Sequence, residues 1–354
     1  MYGHCEDHGM THPLVQGIVT NTGPLTEEYL PSAFPGREAQ LRELADCLIS
    51  SGNAQRPRHV WAFGPPGSGK SSVVRRVLGQ LEEQRVRTAY VNCWSAQTFY
   101  AVLETVLQEF RALVGEMRDV SFKFERLGRI AKEHHLVIVL DECDQMFLKE
   151  RNAAIYNLAR MNHSGLVCLS QSRKAYLDLD PRVQSRLLPE VLEFPSYSVT
   201  DLIAILEARA ERSLSAEAWC RKDLQIIARQ SEGDARIAIQ TLRTAAYLAE
   251  KGRGGQIRPE DIREGLRSSS ALRQRYLLKS MSEHHRLLFQ LVKTSGSIST
   301  VELWRRYEGA ARQHGLEPMA RRTFNLYKQH LLSNRLLTER QGRGKRNRRL
   351  LEIA

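Results

Sequence analysis

A parallel α/β sheet, then a small helical domain, then a C-terminal winged helix is the architecture this sequence predicts, and three observations predict it. The apolar run His59–Phe63 enters a GxxxxGK[ST] turn formed by Gly64, Gly69, Lys70 and Ser71 and continues as an amphipathic segment. After Tyr197 apolar residues recur at spacings of three and four, the period of helices packed on one another. From Ser282 three helical patterns precede two short apolar segments around a glycine-containing turn. At 354 residues the chain has room for two or three domains.

In chain order, residues 1–24 come first and are expected to be a disordered terminus. His4, His8 and His12 recur there beside Cys5 at helical spacing and could line a metal-binding face, but Gly3, Gly9 and Pro13 oppose a stable helix. An α/β domain over 25–197 follows. Its P-loop, Pro66, Gly67, Ser68, Gly69, Lys70, Ser71 and Ser72, has the chemistry a nucleotide needs. Glycines let backbone N–H groups wrap phosphates, a helix N-terminus adds positive potential, Lys70 reaches the outer phosphates and Ser71 can ligate magnesium. The apolar strand Leu136–Leu140 delivers Asp141, Glu142 and Asp144 to its carboxyl end. Asp141 is the candidate metal ligand there, and Glu142 the candidate base for an attacking water. Arg87–Cys93 and Gly165–Ser172 read as further buried strands, so phosphate belongs at the carboxyl edge of a parallel sheet. The stretch SAQTFYAVLETVLQEFRALVGEMRDVSF spells an amphipathic helix.

Residues 198–267 read as a helical lid punctuated by Gly233 and Gly252, 268–281 as a Ser-rich linker, and 282–354 as the winged helix. On its third helix Arg321, Arg322, Asn325, Lys328 and Gln329 share one face, with Phe324, Tyr327 and Leu331 opposite. A helix lying in a major groove needs Arg and Lys for phosphates and Asn or Gln for base edges. A solvated or protein-binding face is the alternative. The last stretch, from Arg340 to Arg349, carries six basic residues and no acidic one. Flanked by Leu336-Leu337 and Leu350-Leu351, it reads as a hairpin wing, from which Arg343, Lys345, Arg346 and Arg348 would reach backbone phosphates or a minor groove.

Charge supports a polyanionic partner. The formal net charge is +12, yet residues 280–354 hold 15 Lys and Arg against 6 Asp and Glu. Binding through such an end releases counterions condensed on phosphates; a merely solvated basic face is the alternative. The six cysteines are scattered without a CxxC pair, as expected of reduced core thiols in a cytoplasmic protein. No signal-peptide pattern or long apolar run points to a membrane.

Together GPPGSGKS, LDECD, LDPRVQSRL and GDARIAIQTLRTAAYLAE, with the lead-in EEYLPSAFPGREAQLRELADCL, resemble the AAA+ replication initiators of archaea, relatives of the eukaryotic origin recognition complex and its helicase-loading partner. The resemblance covers the chain from about Leu25 onward and implies an AAA+ P-loop sheet with a helical lid ahead of the winged helix. It implies that Arg186, with Arg182 nearby, is an arginine finger for a neighbouring subunit's nucleotide. It further implies that Arg236 is the lid's sensor arginine to the γ-phosphate in cis, and that Tyr197 and Arg209 border the nucleotide. The family pattern sets an Asn after the Ser of the Gly165–Ser172 strand, where this sequence has Gln171. The extra methylene displaces the amide by about an ångström, which can cost on the order of 100-fold in rate. Hydrolysis is therefore expected to be weak, with ATP and ADP, and Mg as the metal, working a slow conformational switch.

The expected function is a nucleoid-associated replication initiator that binds double-stranded origin DNA and helps recruit or load the replicative helicase, with a second initiator subunit as a candidate partner. A clamp loader or branch-migration motor would share the P-loop, but Gln171 disfavours fast turnover. A winged-helix transcriptional regulator would carry a vestigial site, which the intact Lys70, Asp141, Glu142 and Arg236 disfavour.

Overall fold

The computed structural model describes residues 17–49, 57–84, 86–112, 119–252, 255–334, 336–341 and 349–353, and divides into two compact units, 1–266 and 267–354. The first unit opens with α1 (Glu38–Leu48), β1 (Val60–Phe63), α2 (Lys70–Glu83) and β2 (Arg87–Asn92). It continues through α3 (Phe99–Glu109), α4 (Val120–Glu133), β3 (Leu136–Asp141), α5 (Leu148–Ala159) and β4 (Ser164–Ser170). The sheet domain closes with α6 (Lys174–Leu177), α7 (Pro181–Leu187) and β5 (Glu190–Glu193).

These strands form one parallel sheet in the order β2-β3-β4-β1-β5. β3 and β4 are buried at every position, in keeping with their apolar centres Leu136–Leu140 and Leu166–Leu169. α1 and α2 cover one face through Leu44, Leu48, Val74, Val77 and Leu81. α3, α4, α5 and α7 cover the other through Val102, Leu103, Leu127, Ile155 and Val183. β5 went unread in the sequence because EVLE buries only Leu192, as befits an edge strand ending in glutamates.

The lid comprises α8 (Val199–Ser213), α9 (Arg221–Gln230), α10 (Ala235–Lys251) and the first turns of α11 (Pro259–Ser280). Leu206, Ile227, Leu242 and Ile262 make its core, and Ile18 and Leu25 join them. Disorder through residue 24 is thereby corrected for the described part. Ile18 is 3% exposed, Val19 bridges to Leu214, and Thr20 N–H donates to Ser213 O at 2.8 Å. The linker expected over 268–281 is likewise mostly helix: three consecutive serines are weak helix formers, not breakers, and α11 runs through them to Ser280. His4, Cys5, His8 and His12 lie outside the described residues.

In the second unit α12 (Glu283–Ser295), β6 (Ser297–Ser299), α13 (Thr300–Gln313), α14 (Arg321–Ser333), β7 (Leu337–Gln341) and β8 (Arg349–Ile353) make three helices and an antiparallel sheet, β6-β8-β7, an element order compatible with the expected winged helix. Leu288, Leu303, Tyr307, Phe324 and Leu351 make its core. β6, three residues long, is too short for periodicity to reveal. Among the described residues no helix is long and apolar enough to cross a membrane. Cys47, Cys93, Cys143 and Cys168 are buried free thiols, as expected of core cysteines, whereas Cys220 is exposed at the start of α9.

Candidate nucleotide site and nucleic-acid interface

At the carboxyl edge of the sheet a cleft of about 490 Å³ is lined by every P-loop residue from Pro66 to Ser72, with Asp141, Glu142, Gln171, Tyr197, Arg209 and Arg236. That volume suits a small organic ligand. Strand order explains the convergence: β4 lies between β1, which leads into the P-loop, and β3, which ends in Asp141, so Gln171 after β4 sits between phosphate loop and acids.

Gly69 takes φ +89° as the residue before α2, and Gly67 takes φ +72°. A Cβ at Gly69 would overlap the Tyr197 hydroxyl, and one at Gly67 would overlap the Asp234 carboxylate. Lys70 Nζ donates to Gly64 O at 2.6 Å and Pro65 O at 3.0 Å. Burial, reinforced by the nearby Arg236 guanidinium, lowers the Lys70 pKa to about 8 against the pull of Asp141.

Ser71 Oγ donates to Asp141 Oδ2 at 3.0 Å, and the Tyr90 hydroxyl donates to the same oxygen. A hydroxyl and a carboxylate side by side are hard oxygen donors of the kind magnesium takes. Glu142 stands at φ +54°, and its Oε2 accepts from Trp94 Nε1. Burial pushes the carboxyls of Glu142 and Asp144 up. Asp144 Oδ2 accepts the Gln171 N–H at 3.4 Å, tying the turn after β4 to that after β3.

The lid meets the P-loop directly. Asp234 caps α10 by accepting from Arg236 N–H at 2.9 Å and Ile237 N–H at 3.3 Å, and Ala235 N–H donates to Gly67 O at 3.2 Å. Arg236, half exposed, therefore stands on the first turn of a helix anchored at the phosphate loop. Arg209 lines the cleft in a different manner from a phosphate ligand. Its guanidinium donates to Pro24 O, to Thr26 O at 3.1 Å and to Tyr29 O at 3.3 Å, and lies over the Tyr29 ring. It holds the lead-in segment that forms the outer wall.

Arg186 is absent from the cleft. It is exposed on α7, near enough to His59 at the opposite end of β1 to lower that imidazole's pKa together with burial. The sequence reading missed Arg37. This guanidinium, 3% exposed, donates to Ser68 O at 2.8 Å, Gly36 O at 2.6 Å and Pro195 O, and stacks on Tyr197 at 3.9 Å. It joins P-loop, lead-in and the entry to the lid. An arginine after a glycine at a helix start was its only signal.

Residues 33–169 match the family model described as AAA ATPase domain, and 203–267 match the Cdc6 AAA+ ATPase-type lid domain. The ORC1-type DNA replication protein 1 of Aeropyrum pernix is 30% identical over 323 residues, covering 83% of this chain and 80% of that protein. The chain belongs to the ORC1/Cdc6-type family of AAA+ replication initiators. The protein of the same name from Archaeoglobus fulgidus is 28% identical over 329 residues, 86% of this chain and 80% of that one. A solved structure of the Aeropyrum pernix ORC1 protein in complex with DNA matches with a TM-score of 0.76 and 26% identity, over 95% of this chain and 94% of that chain. This initiator thus carries the nucleotide-binding AAA+ core of its family.

In the initiator's second unit Arg321, Arg322, Asn325 and Gln329 are exposed on α14, with Phe324 and Leu331 buried opposite. Lys328 departs from the expected face. Its side chain is only 11% exposed, pairs with Glu339 at 3.3 Å and reaches Thr300 Oγ1 at 3.4 Å, because its position borders the buried side of the helix. Arg349 also pairs with Glu339, at 3.3 Å. Arg343, Lys345, Arg346 and Arg348 lie outside the described residues.

Proposed function

We propose that this initiator binds duplex origin DNA through the exposed face of α14 and the basic wing, and that ATP in the cleft switches it between states of the lid. The observation that carries the nucleotide half is the convergence of P-loop, Asp141, Glu142 and Arg236 on one cleft whose lid helix hydrogen-bonds the loop through Ala235 and Gly67. Lys70 and the N-terminus of α2 would take the phosphates, and Arg236 would sense the γ-phosphate from the lid. Ser71 and Asp141 would hold magnesium, which when bound neutralises charge on the phosphates. Glu142 would take the proton of the attacking water as the water oxygen bonds to the γ-phosphorus and the bond to the β-phosphate oxygen breaks, releasing ADP.

Arg186, exposed and away from its own cleft, is suited to a neighbouring initiator's nucleotide. The replicative helicase is the proposed cargo. The DNA half rests on an exposed row of Arg321, Arg322, Asn325 and Gln329 in a chain similar to an ORC1 protein solved with DNA.

Genome-wide mapping of bound DNA tests the reading. One or a few sites beside replication start regions are expected, lost when Arg321, Arg322 and Asn325 become Ala. Binding spread over promoters would overturn it in favour of a transcriptional regulator.

A further inference from the structure

We propose that Trp94 is a positioning residue for Glu142, its indole N–H holding one carboxylate oxygen so that the other is left to serve the cleft. The proposal rests on Glu142 being the hydrolytic base.

The indole Nε1 of Trp94 donates to Glu142 Oε2. Trp94 comes from the turn after β2, a segment separate from both the P-loop and the strand that carries the acids, and this turn is pinned. Asn92 Oδ1 accepts the Trp94 N–H at 2.9 Å, and Asn92 O accepts from Ser95 N–H at 3.2 Å and Ala96 N–H at 3.1 Å. Asn92 is itself in register with Asp141 on β3. A hydrogen-bonded turn therefore delivers the indole to the end of β3, one residue from the base.

Glu142 is restricted from its own side as well. Its φ of +54° is uncommon for a residue with a side chain and marks an observed departure at a functional position. A carboxylate has two oxygens; with Oε2 held by the indole, Oε1 remains for water. The charged groups around it are Asp141 and Asp144 from the β3 end, Lys70 from α2 and Arg236 from α10. Trp94 supplies the one uncharged donor to this carboxylate among the described hydrogen bonds. If the ring served only as packing, phenylalanine would fill the place equally, so the N–H is the feature to test.

Single-turnover ATP hydrolysis and ATP affinity would be measured on the full chain for wild type, Trp94→Phe and Trp94→His, and for Glu142→Gln with and without Trp94→Phe. Losing the N–H should slow hydrolysis about tenfold, equivalent to about 1.4 kcal/mol in the barrier, while ATP affinity stays within about twofold. Histidine, which keeps a ring N–H, should recover most of the rate, and in the Glu142→Gln background Trp94→Phe should add nothing. Tryptophan emission should respond to Glu142→Gln only while Trp94 is present. Wild-type hydrolysis by Trp94→Phe, or an equal loss in both backgrounds, would overturn the positioning role while leaving the base in place. Full hydrolysis by Glu142→Gln would instead overturn the base reading, and this proposal with it.

Discussion

Replacing Arg37 by alanine tests how the cleft is held together. The substitution removes three hydrogen bonds from a buried guanidinium, to Ser68 O, Gly36 O and Pro195 O, and its stack on Tyr197. Two of those carbonyls belong to the phosphate loop and the entry to the lid, and a buried acceptor without its donor costs about 1–3 kcal/mol. A cation–π stack removed from solvent adds about 1–2 kcal/mol. Part of this is offset because the charge no longer has to be desolvated, a cost visible in the lowered Arg37 pKa, which burial causes. The net loss should be about 3–5 kcal/mol, large against the 5–15 kcal/mol of a typical domain but survivable. Urea unfolding of the nucleotide-free protein measures it, and titration with a fluorescent ATP analogue should show affinity down by at least about tenfold, equivalent to about 1.4 kcal/mol. Arg37→Lys should fall between, since an ammonium cannot reproduce the planar fork. If Arg37→Ala loses under about 1 kcal/mol and binds nucleotide normally, the clamp is incidental and the reasoning fails.

Gln171→Asn should raise single-turnover hydrolysis by one to two orders of magnitude, since a shorter side chain returns the amide by about an ångström; an unchanged rate would mean that Gln171 does not limit. His285, buried at 7% exposure and stacked on Tyr327 at 3.9 Å with His330 and His284 nearby, has its pKa lowered from 6.5 to about 4, mainly by burial. Its folded pKa lies below its unfolded one, so the unfolded chain binds the proton first: stability is whole above about pH 6.5 and is lost as pH falls toward 4, by about 2 kcal/mol between pH 7.5 and 5. Urea midpoints of the wild type and His285→Phe at the two pH values should differ by that slope, and parallel midpoints would refute it.

The sequence made some features plain and hid others for physical reasons. P-loop and acidic strand end are local patterns, so spacing located Lys70, Ser71, Asp141 and Glu142, whereas Gln171, Tyr197, Arg209 and Arg236, which line the same cleft, were implied by the family resemblance. Arg37 and Trp94 stayed hidden because their partners, Ser68, Pro195 and Glu142, lie far along the chain and reach them only through strand order. Arg209 was legible as a cleft residue, but its work on Pro24 and Tyr29 joins positions about 180 residues apart. Lys328 marks the edge of the polar face: four residues after Phe324 and three before Leu331, it borders the buried side of α14, where Glu339 on β7 pairs with it.

Gly67 and Gly69 are ordinarily explained from the phosphate side, as positions where backbone must approach an anion. In this initiator the space a side chain would need at either position is already taken, by Asp234 and Tyr197 of the lid region. Both glycines thus satisfy two constraints at once, and a methyl group at Gly67 would wedge the start of α10 away from the loop before it touched any phosphate. The GxxxxGK[ST] signature is, in this protein, also the footprint of an interdomain seam.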